Sequence, residues 1–243
     1  MKCKFCGDEN NLIEAHVIPA GFFRRIRRQN KKALEIITNR AGEYDKKAPI
    51  GVYDKTIVCK RCENIWQEWD NYAQQLLTAK SLNGRTRYHN GKKICYIVDN
   101  FEHKKLKLFF ISVAWRASVS SHKFFSRISL GPFEDIAKKH IKNDDPGDSE
   151  VFSTVLSKFD HPLAKGIFDP YIYQNSGVQY TRFYFASYMA DIKIDHRPTP
   201  NQLSKITLAE NRPLHIICRD FRESKELVLA KKLINNSLNK KKL

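Results

Sequence analysis

The chain has 243 residues, with 43 Lys and Arg against 26 Asp and Glu, and the resulting net charge of +17 points to a polyanionic partner. A content of 42% hydrophobic and 12% aromatic residues is enough for a packed core in one large or two small domains, which excludes disorder for the bulk. The most apolar run, Leu108 to Trp115, falls far short of the ~18 residues a bilayer span needs, and Met1 to Cys6 lacks the apolar stretch of a secretory signal; the expectation is a cytoplasmic protein with reduced thiols and no membrane partner.

From the N-terminus, Cys3-x-x-Cys6 comes first, followed by Gly7 and the polar turn Asp8 to Asn11, as in a metal knuckle on a hairpin. Leu12 to Pro19 reads as a short strand that carries His16 and is ended by the proline. A lone histidine in an apolar strand is ordinarily a core residue satisfied by backbone. The position of His16 between two cysteine pairs turns the reading toward chemistry. Phe22 to Lys32 follows, and its six cations in eleven residues, with Phe22, Phe23 and Ile26 on one helical stripe, predict a basic helix or arm. Arg24, Arg25, Arg27, Arg28, Lys31 and Lys32 would lie on phosphates of a nucleic acid. Ala41 to Pro49 is loop-like. Cys59-x-x-Cys62 then opens an amphipathic helix whose apolar face is Ile65, Trp66, Trp69, Tyr72, Ala73, Leu76 and Leu77.

Six cysteines placed at random in this chain would give roughly 0.15 Cys-x-x-Cys pairs, so two of them signal a shared demand. Cys3, Cys6, Cys59 and Cys62 together close a four-thiolate tetrahedral zinc site, and no thioredoxin-like βαβ pattern supports a redox pair. Knuckle, strands and a helix starting at the second pair form the outline of a treble clef. Residues 7 to 58 lie between the pairs, where a compact ribbon has about 15–20 residues, and that insert houses the candidate chemistry.

The pattern Cys3-x-x-Cys6, Glu14-Ala15-His16-Val17-Ile18-Pro19, then Tyr53-Asp54-Lys55-Thr56-Ile57-Val58-Cys59-x-x-Cys62-Glu63-Asn64 resembles the HNH endonucleases, the ββα-metal nucleases, in their variant with two zinc-binding cysteine pairs. The resemblance implies His16 as general base. It also implies Asp54, at the position of the family's central asparagine, and Glu63, at that of its last histidine, as ligands of a catalytic Mg²⁺ or Mn²⁺. Ala15 stands where many relatives carry a further ligand. The chemistry suits the residue types, since imidazole has a suitable pKa for taking a proton from water and hard oxygen ligands favour Mg²⁺ or Mn²⁺ while thiolates favour zinc. The implied activity is hydrolysis of phosphodiester bonds in DNA, and the family suggests a restriction or phage-defence setting. The alternative class, motivated by Ala15 and the missing second histidine, is a noncatalytic treble clef that binds nucleic acid or a protein.

Ser81 to Asn90 is polar and marks a boundary, dividing a zinc-bound unit of 1–80 from a companion domain of 81–243 that would contact a partner or select a target. Lys92 to Asp99, and less clearly Lys104 to Lys107, flank an apolar segment from Leu108 to Val119 that leans to a buried helix, with a strand as its rival. Pro132 starts a helix over Phe133 to Ile141, which stops before the turn Asn143 to Asp148. Val151 to Leu156, Ile172 to Tyr173, Val178 to Met189 and Pro213 to Cys218 read as strands, with Gln174 to Gly177 as a hairpin turn and a closing helix over Glu223 to Asn235. The expected fold is α+β: a zinc-pinned treble-clef ββα-metal module followed by an α+β unit with an antiparallel sheet. Cys95 and Cys218 are expected as buried thiols, and Tyr180, Phe183, Tyr184, Phe185 and Tyr188 as core residues.

Overall fold

A computed structural model describes residues 1–9, 11–30, 35–36, 46–47, 51–79, 82, 84–161, 164 and 166–240, with the backbone alone at 27–30, 35–36, 46–47, 237, 238 and 240. The fold is α+β. Its N-terminal part begins with the Cys3–Cys6 turn, closed by Gly7, whose φ of +82° is a conformation glycine adopts without strain. A two-residue strand β1 (Ala15–His16) pairs antiparallel with β4 (Tyr53–Asp54), and helix α1 (Ala20–Asn30) lies between them in the chain, along with a small pair β2 (Glu35–Ile36) and β3 (Lys46–Lys47). Helix α2 (Lys60–Glu63) starts at Cys59 and runs through a 3₁₀ turn, Asn64–Trp66, into α3 (Gln67–Thr78). The strand expected over Leu12 to Pro19 shrinks to β1 plus an isolated bridge from Leu12 to Cys59, because Pro19 ends it and α1 begins at the next residue. Ile65, assigned to the apolar face, is 38% exposed; the 3₁₀ turn breaks the α periodicity at that point.

The remainder builds a seven-stranded sheet in the order β5 (Arg85–His89), β6 (Lys92–Val98), β11 (Leu214–Arg219), β7 (Thr154–Phe159), β10 (Tyr188–Lys193), β9 (Val178–Phe185), β8 (Tyr171–Asn175). Every neighbouring pair is antiparallel except β11 with β7, so the sheet is mixed and not wholly antiparallel. The exception follows from the route: β10 lies antiparallel to β7, and after the short helix α6 (Asn201–Ser204) the chain crosses to the other side of β7 and returns reversed. The segment Val178 to Met189 is two strands, because Ala186 adopts φ +57° and turns the chain.

Helix α4 (His103–Val119) is the spine. Every residue from Leu106 to Ala117 is buried, as expected of a helix packed on all sides, and the Lys104 to Lys107 stretch belongs to it. α4 packs against α3, against α5 (Phe133–Lys142) and against the sheet, with Phe109 and Phe110 meeting Phe185 at ring distances of 5.2 and 5.9 Å. Phe22 of α1 joins the same cluster, 5.2 Å from Phe185. A continuous core therefore runs from Cys3 to Ile216, and the division at residue 80 separates elements but not cores. A short segment such as residues 1–80 has too little interior to bury Trp66, Trp69 and Phe22 alone, so it borrows α4. A smaller cluster gathers around Phe159, Tyr184, Met189 and Phe221, with Leu227 at the start of α7 (Lys225–Lys240) packed on it. Tyr180, Phe183, Tyr184, Phe185 and Tyr188 are all buried, and so is Cys95, whereas Cys218 is only half-buried. Among the described residues no helix is long and apolar enough to cross a membrane.

Candidate metal centre and cleft

The Sγ atoms of Cys3, Cys6, Cys59 and Cys62 all lie within 4.8 Å of one another, with Cys6 and Cys59 4.0 Å apart. A tetrahedron with Zn–S bonds of about 2.3 Å has edges of about 3.8 Å, so the four thiols are gathered at the spacing a metal such as zinc requires. Burial raises the Cys3 thiol, but backbone N–H groups of Cys6, Cys59 and Phe5 outweigh it and hold the thiol at about 7. Burial pushes Cys62 well up, so its thiolate depends on a cation in the cluster. Phe5 meets Trp66 and Trp115 edge to face at 5.6 and 5.2 Å, and the two indoles lie tilted at 6.2 Å, in the core that includes Cys3, Cys59 and Cys62.

Beside this centre is a cleft of about 200 Å³, lined among others by His16, Pro19, Gly21, Arg24, Lys60 and Glu63, with Asn64, Gln67, Asp70, Asn71 and Gln74 along one face of α2 and α3. At ~30 Å³ per water it has room for about seven waters, enough for a phosphate group and its hydration. At Gly21 the Gln74 amide folds over the bare backbone of α1, where a Cβ would lie 1.7 Å from its oxygen and push it aside.

The structure brings His16 and Glu63 to the same cleft. His16 pairs with Tyr53 in the β1–β4 register, their rings 6.0 Å apart, and its side chain is half-buried. Glu63 ends α2, the helix that leaves the cysteine centre; its Oε2 accepts from the Trp66 indole N–H at 3.2 Å, and burial raises its carboxyl above the usual range against the pull of Arg116.

Asp54 is placed elsewhere, and its expected role as a metal ligand is corrected. It pairs with Ala15, so its side chain leaves the strand on the face opposite His16. Both of its oxygens are spent on the protein: Oδ1 accepts from the Thr56 N–H and hydroxyl at 2.8 and 2.6 Å, and Oδ2 from Ser120 Oγ, Ser121 N, Ser121 Oγ and His122 N at 2.7 to 3.2 Å. Burial raises this carboxyl, but the hydrogen bonds from Thr56, Ser120 and Ser121 dominate and hold it far below the usual carboxylate range. Asp54 is the anchor that ties β4 to the turn after α4. Because its folded pKa lies below the unfolded value of about 3.9, its contribution is full above that pH and is lost as pH falls through and below it. We expect Asp54→Ala to cost about 2–3 kcal/mol at pH 7 in urea unfolding, and to flatten the decline of stability below pH 5 relative to wild type.

Of the basic residues in α1, Arg24 is exposed at the cleft, whereas Arg25 donates to the Thr78 carbonyl at the end of α3 and is half-buried, so part of the expected phosphate-binding row is structural. The side chains of Arg27 and Arg28, together with Lys31 and Lys32, lie outside the described residues, as does most of Ala41 to Pro49.

Arg116 has no counterpart among the sequence-based candidates. Fully buried in α4, it forms a fork with Asp70 of α3, Nη1–Oδ2 2.9 Å and Nη2–Oδ1 2.7 Å, and its Nη1 also donates to the main-chain oxygen of His16 at 2.8 Å. Its guanidinium lies 5.2 Å from the Trp66 ring. One side chain therefore fixes strand β1, helix α3 and the Trp66 ring relative to one another. The signal was present: a lone arginine inside an otherwise apolar helical run is rarely buried unless paired.

Comparison with protein-family models, curated proteins and solved structures gives no match.

Proposed function

We propose that the chain is an HNH-type endonuclease that hydrolyses phosphodiester bonds in DNA, with His16 as general base. The observation that carries this reading is that His16, on β1, and Glu63, on the helix leaving the second cysteine pair, face one small polar cleft beside the cysteine centre, with the cations of Arg24 and Lys60 at its wall. Zinc in the four-thiolate centre would hold strand and helix at that separation.

His16 accepts a proton from a water in the cleft; the water oxygen bonds to phosphorus, the P–O bond to the leaving sugar oxygen breaks, and that oxygen takes a proton from solvent. Arg24 and Lys60 bind the phosphate oxygens as charge builds on them. The Arg116 hydrogen bond to the His16 carbonyl keeps the strand, and with it the imidazole, in place. Glu63 would hold a hard divalent cation, Mg²⁺ or Mn²⁺, which would supply charge neutralisation at the reacting phosphate. Of the carboxylates lining the cleft, Asp70 is taken up by Arg116, which leaves Glu63 to hold such an ion, and Mg²⁺ characteristically uses one or two carboxylates plus phosphate. The amides of Asn64, Gln67, Asn71 and Gln74 supply paired donors and acceptors for sugar, phosphate or base edges.

The test is nicking of supercoiled plasmid with Mg²⁺ or Mn²⁺. His16→Ala should lower the rate by about 10²–10⁴ while leaving the melting temperature and DNA affinity close to wild type. Equal nicking by both proteins overturns the mechanism. DNA binding without nicking by the wild type would favour the noncatalytic treble clef.

A further inference from the structure

We infer that the β5–β6 ribbon is a second nucleic-acid contact, a two-stranded finger that enters a groove of a double helix whose backbone passes the cleft. The inference rests on the reading above only in taking nucleic acid as the partner. The two strands are joined by Asn90-Gly91, both at positive φ (47° and 72°), a tight hairpin turn of the type that suits strand twist. Every residue from Arg87 to Lys92 is exposed although Tyr88 pairs with Lys93 and His89 with Lys92. Successive strand residues point to opposite faces, so exposure without alternation means that both faces are bare. The end of the ribbon stands clear of the body.

Its surface carries Arg85, Arg87, Lys92 and Lys93. Arg85 and Lys93 meet Asp99 and Asp160 at 2.7 and 2.5 Å, but neither Arg87 nor Lys92 pairs with a carboxylate among the described residues. Tyr88 is 63% exposed and Ile94 42%, large apolar groups displayed beside those free cations. The register shift between Arg87 and Tyr88 adds local twist, and a two-stranded ribbon fits the ~12 Å major groove. Further cations stand between the ribbon and α1. Lys93 and Lys158 sit 4.9 and 5.0 Å from the Tyr96 ring, Lys158 is also 5.2 Å from the Tyr188 ring, and Arg25 of α1 acts electrostatically on both Lys158 and Tyr188. Arg25, Lys158 and Lys93 are themselves partly buried or paired, so the cations open to a partner are Arg24 at the cleft and Arg87 and Lys92 at the tip.

The experiment is fluorescence anisotropy with a labelled DNA duplex and its single strand over a series of KCl concentrations, with no Mg²⁺ or Mn²⁺ added and on a His16→Ala background so that nothing is cleaved while the cysteine centre keeps its metal. Arg87→Gln with Lys92→Gln, both solvent-exposed, should leave the melting temperature unchanged and reduce the slope of log affinity against log salt for the duplex by about 1.8, two contacts at ~0.9 each. Tyr88→Ala should weaken the duplex more than the single strand. An unchanged slope overturns the inference, and the charges then serve only to keep an edge strand from pairing with other chains. Equal losses on duplex and single strand overturn the groove assignment, as does loss of binding to phosphatidylserine vesicles with duplex binding intact. The two readings fail separately: a nuclease that nicks through His16 yet shows wild-type salt dependence in the ribbon variant sinks only the ribbon, and a variant-sensitive binder that never nicks sinks only the enzyme.

Discussion

Stripping the metal from the cysteine centre is expected to lower the melting temperature by at least about 10–20 °C and to shift tryptophan emission to longer wavelength. All three tryptophans of the chain, Trp66, Trp69 and Trp115, are at most 5% exposed and belong to the core that includes Cys3, Cys59 and Cys62, so fluorescence reports on this region alone. The size follows from the energetics of such sites. Structural zinc contributes apparent free energies of about 10–16 kcal/mol in small zinc domains. Here α4 supplies packing that would persist without metal, so about half of the low end, ~5 kcal/mol, is the conservative figure, and a chain of this size loses about 2–4 °C per kcal/mol. Thermal melts before and after dialysis against a strong chelator measure it, and zinc, but not Mg²⁺, should restore the transition. Ligand thiols must lose protons to bind the metal, so the zinc concentration needed for half-restoration should rise as pH falls. Identical melts with and without the metal would show that the thiols are merely packed.

Arg116→Leu should destabilise the chain by about 3–5 kcal/mol, because it leaves the largely buried Asp70 carboxylate without its counter-charge and the His16 carbonyl without its donor. Asp70→Leu alone should cost a similar amount by stranding the buried guanidinium. The double variant Arg116→Leu/Asp70→Leu should be distinctly more stable than the sum of the two losses, since an apolar replacement of both charges leaves neither uncompensated. Arg116→Lys should rescue little: one ammonium cannot reproduce two parallel bonds to Asp70 while also serving His16. Urea unfolding of the four proteins decides this. If the losses add, the fork is incidental to stability and the helices hold by apolar contact alone.

Placing the charge on the fold also changes its meaning. A surplus of +17 attracts any polyanion. Arg25 and Arg116 are both spent on backbone oxygens, whereas Arg24, Arg87 and Lys92 face solvent, so the cations available to a partner are fewer and more localised than the row in α1 implied.

The cysteine pairs, the helix that follows the second pair, the buried helix over Leu108 to Val119, the proline-started helix and most strands were legible in the residues, because spacing, apolar periodicity and turn chemistry are local and act over a few positions. The gathering of the four thiols agrees with that reading. The position of His16 between the cysteine pairs, together with the resemblance that singled out Glu63, made these two the candidates, and the fold sets them on one cleft. The structure alone decided that Asp54 faces away from His16, since the face of a strand residue depends on register, and Ala15 rather than His16 stands opposite Asp54. It alone decided that the sheet contains a parallel pair, which depends on where a long connection returns. It alone merged two expected domains into one core, because whether a short zinc-bound segment can bury its own aromatics is a matter of total surface and not of any motif. Arg116 joins both levels. Its charge within an apolar helix was visible in the sequence, but the partners that justify burying it, Asp70 and the carbonyl of His16, lie 46 and 100 residues away and meet it only in three dimensions.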